Sequence, residues 1–194
     1  MNRIDTAFAV PYGYAKYSHS VYKLSQAILQ TEMTSEEGQD SRVGNSVRTR
    51  DNLHTLSEFE YLRLWIEKEV SLYADTCFGI KESLLITNMW GTINTTPSHW
   101  NMTHTHPDSC FSGVFWLSAP VGSGNFILSN PTMIDHWIDR LQKKSGMTVN
   151  ANSGQMITIT PEEGSLLLFP SYVPHMVAPN ENNVQRISIS FNIG

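Results

Sequence analysis

Between Leu84 and Asn192 the sequence breaks into eight short segments of strand character: Leu84–Trp90, Trp100–His106, Phe111–Ser118, Asn125–Leu128, Gln155–Thr160, Ser165–Phe169, Val173–Ala178 and Gln185–Asn192. Turn signals rich in Gly, Pro, Ser and Asn separate them. So many short strands in about 110 residues predict a jelly roll, two facing sheets that enclose a pocket. The last segment alternates strictly. Arg186, Ser188, Ser190 and Asn192 fall on one face, and Ile187, Ile189, Phe191 and Ile193 on the other. A polar turn, Pro179 to Asn183, joins it to the segment that carries His175, so the expectation is a hairpin with His175 beside Arg186.

The chain ahead of these strands reads differently. Residues 1–18 carry Pro11 and Gly13 among tyrosines and suggest an extended arm. Tyr22–Gln30 has the spacing of a short helix, with Tyr22, Leu24, Ala27 and Ile28 as its buried positions. From Thr31 to Asn52 the chain is polar and without period, the pattern of a long solvated connector. A second helix is expected from Ser57 to about Ala74, opened by a Ser57/Glu60 capping box. Its stripe of Phe59, Leu62, Trp65, Ile66, Val70 and Tyr73 reads as core. Met133, Ile134, Trp137, Ile138 and Leu141 suggest a helical insertion among the strands, followed by a rim loop through Gln155. The fold class is therefore mainly β with α, a jelly roll with packed N-terminal helices. It is one structural domain overall, with 1–55 as arm, short helix and loop and 56–194 as the functional unit.

Composition narrows the partners. Apolar residues make up 40% of 194 and charged residues 16%, enough for a sizeable core. The net charge is −5 and the thirteen Lys and Arg are scattered, so nucleic acid is not expected as an obligate partner. No stretch of eighteen apolar residues spans a membrane, and the N-terminus lacks the apolar centre of a signal peptide. Cys77 and Cys110 form no CxxC pair, which fits a reducing cytoplasm.

The chemistry sits in two places. On an extended strand His104 and His106 project to one face, and Pro107 then opens a turn through Asp108. With His175 they offer a metal three imidazoles, a donor set that suits zinc, copper, nickel or iron. Two assignments of the ligands stay open. Either His104, His106 and His175 form a three-histidine face, or His106 and Asp108 make a His-x-Asp pair that His175 completes. Strand geometry favours the first and charge neutralisation the second. A lone histidine is more often a hydrogen-bonded core or surface residue. Three in this arrangement, with an arginine near the third, read as a site.

The order of motifs carries a family resemblance. His104-x-His106-Pro107, Ser112-Gly113-Val114, Gly164-Ser-Leu-Leu-Leu-Phe-Pro-Ser171, His175 and Arg186-Ile-Ser-Ile-Ser-Phe-Asn192 resemble the 2-oxoglutarate- and Fe(II)-dependent oxygenases of marine bacteria and their phages. The similarity runs from about Phe59 to Asn192. It implies a double-stranded β-helix, with Fe(II) as cofactor and 2-oxoglutarate and dioxygen as cosubstrates. It also implies oxidative decarboxylation to succinate coupled to oxidation, usually hydroxylation, of a primary substrate that the sequence does not name. By the same resemblance His175 is the distal metal ligand, and Arg186 grips the far carboxylate of 2-oxoglutarate with Ser188 beside it. Asn88 and Ser112 are further candidates for hydrogen bonds to 2-oxoglutarate. Trp90, Trp100, Trp116, Phe169 and Tyr172 are candidate pocket walls. A cupin-like metalloprotein without 2-oxoglutarate and a non-enzymatic jelly-roll module are the competing expectations.

Overall fold

A computed structural model describes residues 9–31, 33–34, 43–44, 47–94, 100–132, 140, 143, 154–181 and 183–194. The expected helical insertion at 133–141 and the rim loop after it lie mostly outside these residues. Twelve strands among the described residues form two antiparallel sheets. The large sheet contains β1 (Gly13–Lys16), β2 (Met33–Thr34), β4 (Val47–Thr49), β5 (Ile86–Asn94), β7 (Phe111–Ser118), β10 (Ser165–Pro170) and β12 (Arg186–Ile193), in the order β1-β10-β7-β12-β5-β4-β2. The small sheet contains β3 (Val43–Gly44), β6 (Trp100–His104), β8 (Phe126–Ser129), β9 (Met156–Ile159) and β11 (His175–Val177), in the order β3-β6-β11-β8-β9. This is the predicted double-stranded β-helix.

Period-two patterning sorts the side chains of the large sheet into two cores. One face turns Phe111, Phe115, Leu117, Leu166, Leu168, Ile187, Ile189, Phe191 and Ile193 onto helices α1 (Tyr22–Gln30) and α2 (Glu60–Phe78). The opposite face turns Val114, Trp116, Leu167 and Phe169 inward, where they meet Phe126, Leu128 and Ile159 of the small sheet. Both faces of the central strands are thus buried, which is why β10 is apolar from Leu166 to Pro170 and β7 from Val114 to Leu117, whereas β12 alternates apolar residues on the helix side with buried polar ones on the other. Helix α2 contributes Leu62, Ile66 and Val70, all fully buried, each stabilising the fold by roughly 1.5–3 kcal/mol.

Several expectations need correction. The Ser57/Glu60 capping box does not form. Ser57 lies in a 3₁₀ turn and donates to Glu58, and α2 begins at Glu60 without a side-chain cap. The helix also continues past Ala74 to Phe78. Gly79 ends it at φ 69°, a left-handed conformation that costs glycine nothing, and the N–H groups of Gly79 and Ile80 return to the carbonyls of Asp75 and Ala74. Tyr22 is 69% exposed, because α1 buries the Val21, Leu24, Ile28 stripe and Tyr22 lies off it. The polar stretch 31–52 is more than a connector. It supplies β2 and β4 to the large sheet and β3 to the small one, where backbone pairing needs no apolar pattern.

Candidate metal centre

His104 and His175 are direct cross-strand partners in the β6–β11 ladder, which by itself brings two imidazoles together. His106 lies two residues beyond the end of β6, not on the strand as the sequence suggested. Its position is set instead by the turn that follows. The His106 N–H donates to the Ser171 carbonyl at 3.0 Å, the Ser171 N–H to Cys110, and the Cys110 N–H to Ile193 at 2.7 Å. This clamps the 106–110 segment to the β10–β11 turn, and Ser171 Oγ adds a bond to the Ser109 carbonyl. The three ring centroids are 4.3, 5.0 and 5.1 Å apart.

One nitrogen from each of the three rings lies within 4.8 Å of the others. That is near twice the roughly 2.1 Å bond an imidazole makes to a divalent ion. Second partners fix the tautomers. A carbonyl can only accept, so Nδ1 of His104 donates to Met102 O at 2.7 Å and Nδ1 of His175 donates to Val173 O at 3.0 Å. In both rings Nε2 then carries the lone pair, the arrangement that orients an imidazole for a metal. His175 is 4% exposed, and burial, reinforced by the neighbouring rings of His104 and His106 that would repel a second proton, pushes it down to about 3. It is neutral and ligand-ready at physiological pH. Asp108 sits exposed in the turn and is outside this group.

The expected hairpin between His175 and Arg186 does not form. β11 belongs to the small sheet and β12 to the large one, so the chain crosses between sheets after Val177. His175 and Arg186 instead line one cavity of 280 Å³ from opposite walls. Arg186 is 2% exposed, and burial alone pushes it down to about 10. Its Nη1 donates to the carbonyls of Ser123 and Gly124, at 3.0 and 3.3 Å. Its Nε is buried without a partner, and among the described residues no carboxylate pairs with it. A buried guanidinium in a cavity, lacking an anion, fits a carboxylate ligand.

The other sequence candidates divide. Ser188, Ser112, Asn88, Trp90, Trp116 and Phe169 line the cavity. Trp100 and Tyr172 do not; they are 38% and 54% exposed. Sequence reasoning missed Thr92, which also lines the cavity, although it continues the period-two series of Asn88 and Trp90 along β5. It also missed Arg48 and Asp51, an ion pair at the cavity, with the Arg48 guanidinium 4.4 Å above the Trp90 ring. A three-residue strand in a polar stretch gave no signal for them.

A model of the family described as "Putative 2OG-Fe(II) oxygenase" matches residues 88–192. No curated protein matches the sequence. Solved structures resemble the fold over nearly the whole chain. A Pseudomonas putida prolyl-4-hydroxylase shares 12% identity at a TM-score of 0.63, covering 95% of this chain and 92% of its own. HygX from Streptomyces hygroscopicus, solved with nickel and 2-oxoglutarate bound, shares 12% at 0.67, covering 96% and 83%. A Trichoplax adhaerens prolyl hydroxylase, in complex with a peptide fragment of the hypoxia-inducible-factor oxygen degradation domain, shares 15% at 0.62, covering 94% and 82%.

Proposed function

Because this chain belongs to the 2OG-Fe(II) oxygenase family, we propose that His104, His106 and His175 hold its iron and that Arg186, with Ser188, anchors the far carboxylate of 2-oxoglutarate. The enzyme is a 2-oxoglutarate-dependent oxygenase that uses Fe(II) and dioxygen, which leaves no place for a non-enzymatic jelly-roll module. Hydroxylation is the outcome we assign to it. We place it in the cytoplasm of a marine bacterium or phage-infected cell on the motif resemblance and the unpaired cysteines. One observation carries the assignment of residues: three imidazoles converge in the same cavity as a buried guanidinium that lacks an anion.

Bound there with dioxygen, Fe(II) and 2-oxoglutarate would supply the oxidising chemistry, one oxygen atom going to the succinate left when 2-oxoglutarate loses carbon dioxide and the other to oxidation of the primary substrate. The residues of this chain do the rest. His104 and His175 present Nε2 because backbone carbonyls hold their Nδ1 protons. The Arg186 fork offers a carboxylate two parallel bonds that a lysine could not copy. Trp116, Phe126 and Phe169 give part of the cavity wall an apolar surface.

An anaerobic titration with Fe(II) and then 2-oxoglutarate, followed by visible absorption, tests this. The band expected in the wild type should disappear in His104→Ala and survive in Asp108→Ala. Loss in Asp108→Ala with retention in His104→Ala would replace the three-histidine face by His106, Asp108 and His175.

A further inference from the structure

The inner face of the large sheet is a ladder of paired rows, and the rows differ in chemistry. Arg186 faces Asn94, Ser188 faces Thr92, Ser190 faces Trp90, and Asn192 faces Asn88 on β5 and Ser112 on β7. Arg186 and Asn192 are six residues apart on one extended strand, roughly 20 Å at about 3.3 Å per residue. The carbon chain of 2-oxoglutarate has four C–C bonds of about 1.5 Å, so it spans only about 6 Å. His106 marks where the metal site falls along this ladder, since its ring lies 6.1 Å from that of Trp90. A cosubstrate anchored on Arg186 and reaching toward the histidines therefore occupies the rows before Trp90. The Asn88, Ser112, Asn192 row lies beyond them, about 7 Å further along the strand.

We propose that Asn88, Ser112 and Asn192 form the recognition wall for the primary substrate rather than for 2-oxoglutarate, and that they read an uncharged amide edge. This rests on the reading of Arg186 and the three histidines given above. Ser112 and Asn192 are 2% and 5% exposed, and Ser112 Oγ donates to Asn192 Oδ1 at 2.7 Å, so each fixes the other. Asn88 Oδ1 is buried without a partner although it lines the cavity, which leaves one acceptor asking for a donor. The row contains no ionisable group. A charged substrate group placed there would lose its hydration without a counter-charge, so the matching group is neutral. The Asn88 carboxamide presents acceptor and donor side by side in one plane, and a primary carboxamide, with an N–H and its carbonyl on the same side, meets both. Arg48 and Asp51 lie on the β5 side of the same cavity, where they can face the remainder of the substrate.

The test uses full-length protein loaded with Mn(II) and 2-oxoglutarate, with N-acetylglycinamide and methyl glucoside as probes. Paramagnetic broadening of probe protons reads proximity to the metal, and calorimetry reads 2-oxoglutarate affinity. We expect N-acetylglycinamide to be broadened and methyl glucoside not. Asn88→Leu should weaken the amide at least about fivefold, since it leaves the amide donor unmet, and should leave 2-oxoglutarate affinity within about twofold. Arg186→Lys should do the reverse. Ser112→Ala serves as the milder variant should Asn88→Leu fail to fold, with the same pattern at smaller amplitude. Tighter binding of methyl glucoside than of the amide would overturn the amide assignment. Loss of 2-oxoglutarate affinity in Asn88→Leu or Ser112→Ala as large as in Arg186→Lys would overturn the wall itself. Unchanged 2-oxoglutarate affinity in Arg186→Lys would instead overturn the cosubstrate reading, and this inference with it.

Discussion

Acid should unfold the metal-free enzyme through His175. The ring is 4% exposed, lies among Phe126, Phe169 and the other two histidines, and is held down to about 3 by burial first and by His104 second. The Val173 carbonyl opposes this and does not win. An unfolded histidine titrates near 6.5, so between about 6.5 and 3 the unfolded chain binds a proton that the folded chain refuses. Stability must then fall as pH falls through that window, by about 1.4 kcal/mol per pH unit from this one group. From pH 6.5 to 4.5 the loss is roughly 2–3 kcal/mol, a large fraction of the 5–15 kcal/mol typical of a domain. Urea melts of chelator-treated protein at half-unit steps from pH 8 to 4 measure it. In His175→Gln the same series should be shallower by that slope. Parallel curves for the two proteins would refute the argument, since they would mean that His175 takes up its proton in the folded state as readily as in the unfolded one.

Three further outcomes follow from the same geometry. Mn(II) or Ni(II) at a hundredfold excess over Kd should stabilise the protein by about 2.7 kcal/mol in thermal melts at pH 7.5, and His104→Ala should abolish the shift while Asp108→Ala keeps it. Arg186→Met should remove 2-oxoglutarate binding yet raise the stability of the ligand-free protein. Burial pushes the guanidinium from its ordinary value down to about 10, which corresponds to about 3 kcal/mol of cost, partly offset by the lost bonds to Ser123 and Gly124, so a gain of roughly 1–2 kcal/mol in denaturant melts is expected. Gly113→Ala should destabilise by about 1–3 kcal/mol in the same assay, because a Cβ there would sit 2.3 Å from Phe191 Cζ and 2.8 Å from the Leu167 carbonyl oxygen.

Much of this was legible in the sequence because burial imposes a period. Phe111–Ser118 is a strand with the bounds its apolar run suggests, and Gln185–Asn192 differs from β12 by one residue at each end. What escaped had no apolar period to read. β2, β3 and β4 are two or three residues long and are held by backbone bonds, which any side chain permits. The Arg48–Asp51 pair went unseen for that reason. The Ser57/Glu60 cap failed for another: the preceding 3₁₀ turn already satisfies the first N–H groups, with Phe59 N–H bonded to Leu56, so the hydroxyl is not needed. Sequence proximity misled once. His175 and Arg186 are separated by a short polar turn and look like hairpin partners, yet in a two-sheet sandwich that turn also serves to change sheets.

That sheet change is what makes one cavity out of two halves. His104, His106 and His175 come from the small sheet and the turn beyond it, and Arg186 and Ser188 from the large one, so no segment carries the whole constellation. Strand β12 ties the halves to the fold. Its odd residues, Ile187 to Ile193, are sealed against the helix-facing core, and its even residues, Arg186 to Asn192, line the cavity. A slip of one residue would drive Arg186 into the apolar layer beside Phe115 and turn four apolar side chains into the cavity. The same alternation that holds the sheet therefore fixes the order of the wall, from a guanidinium at one end to a neutral hydroxyl–carboxamide row at the other. On the reading proposed above, an anionic cosubstrate and an uncharged substrate group would be sorted by position along a single strand.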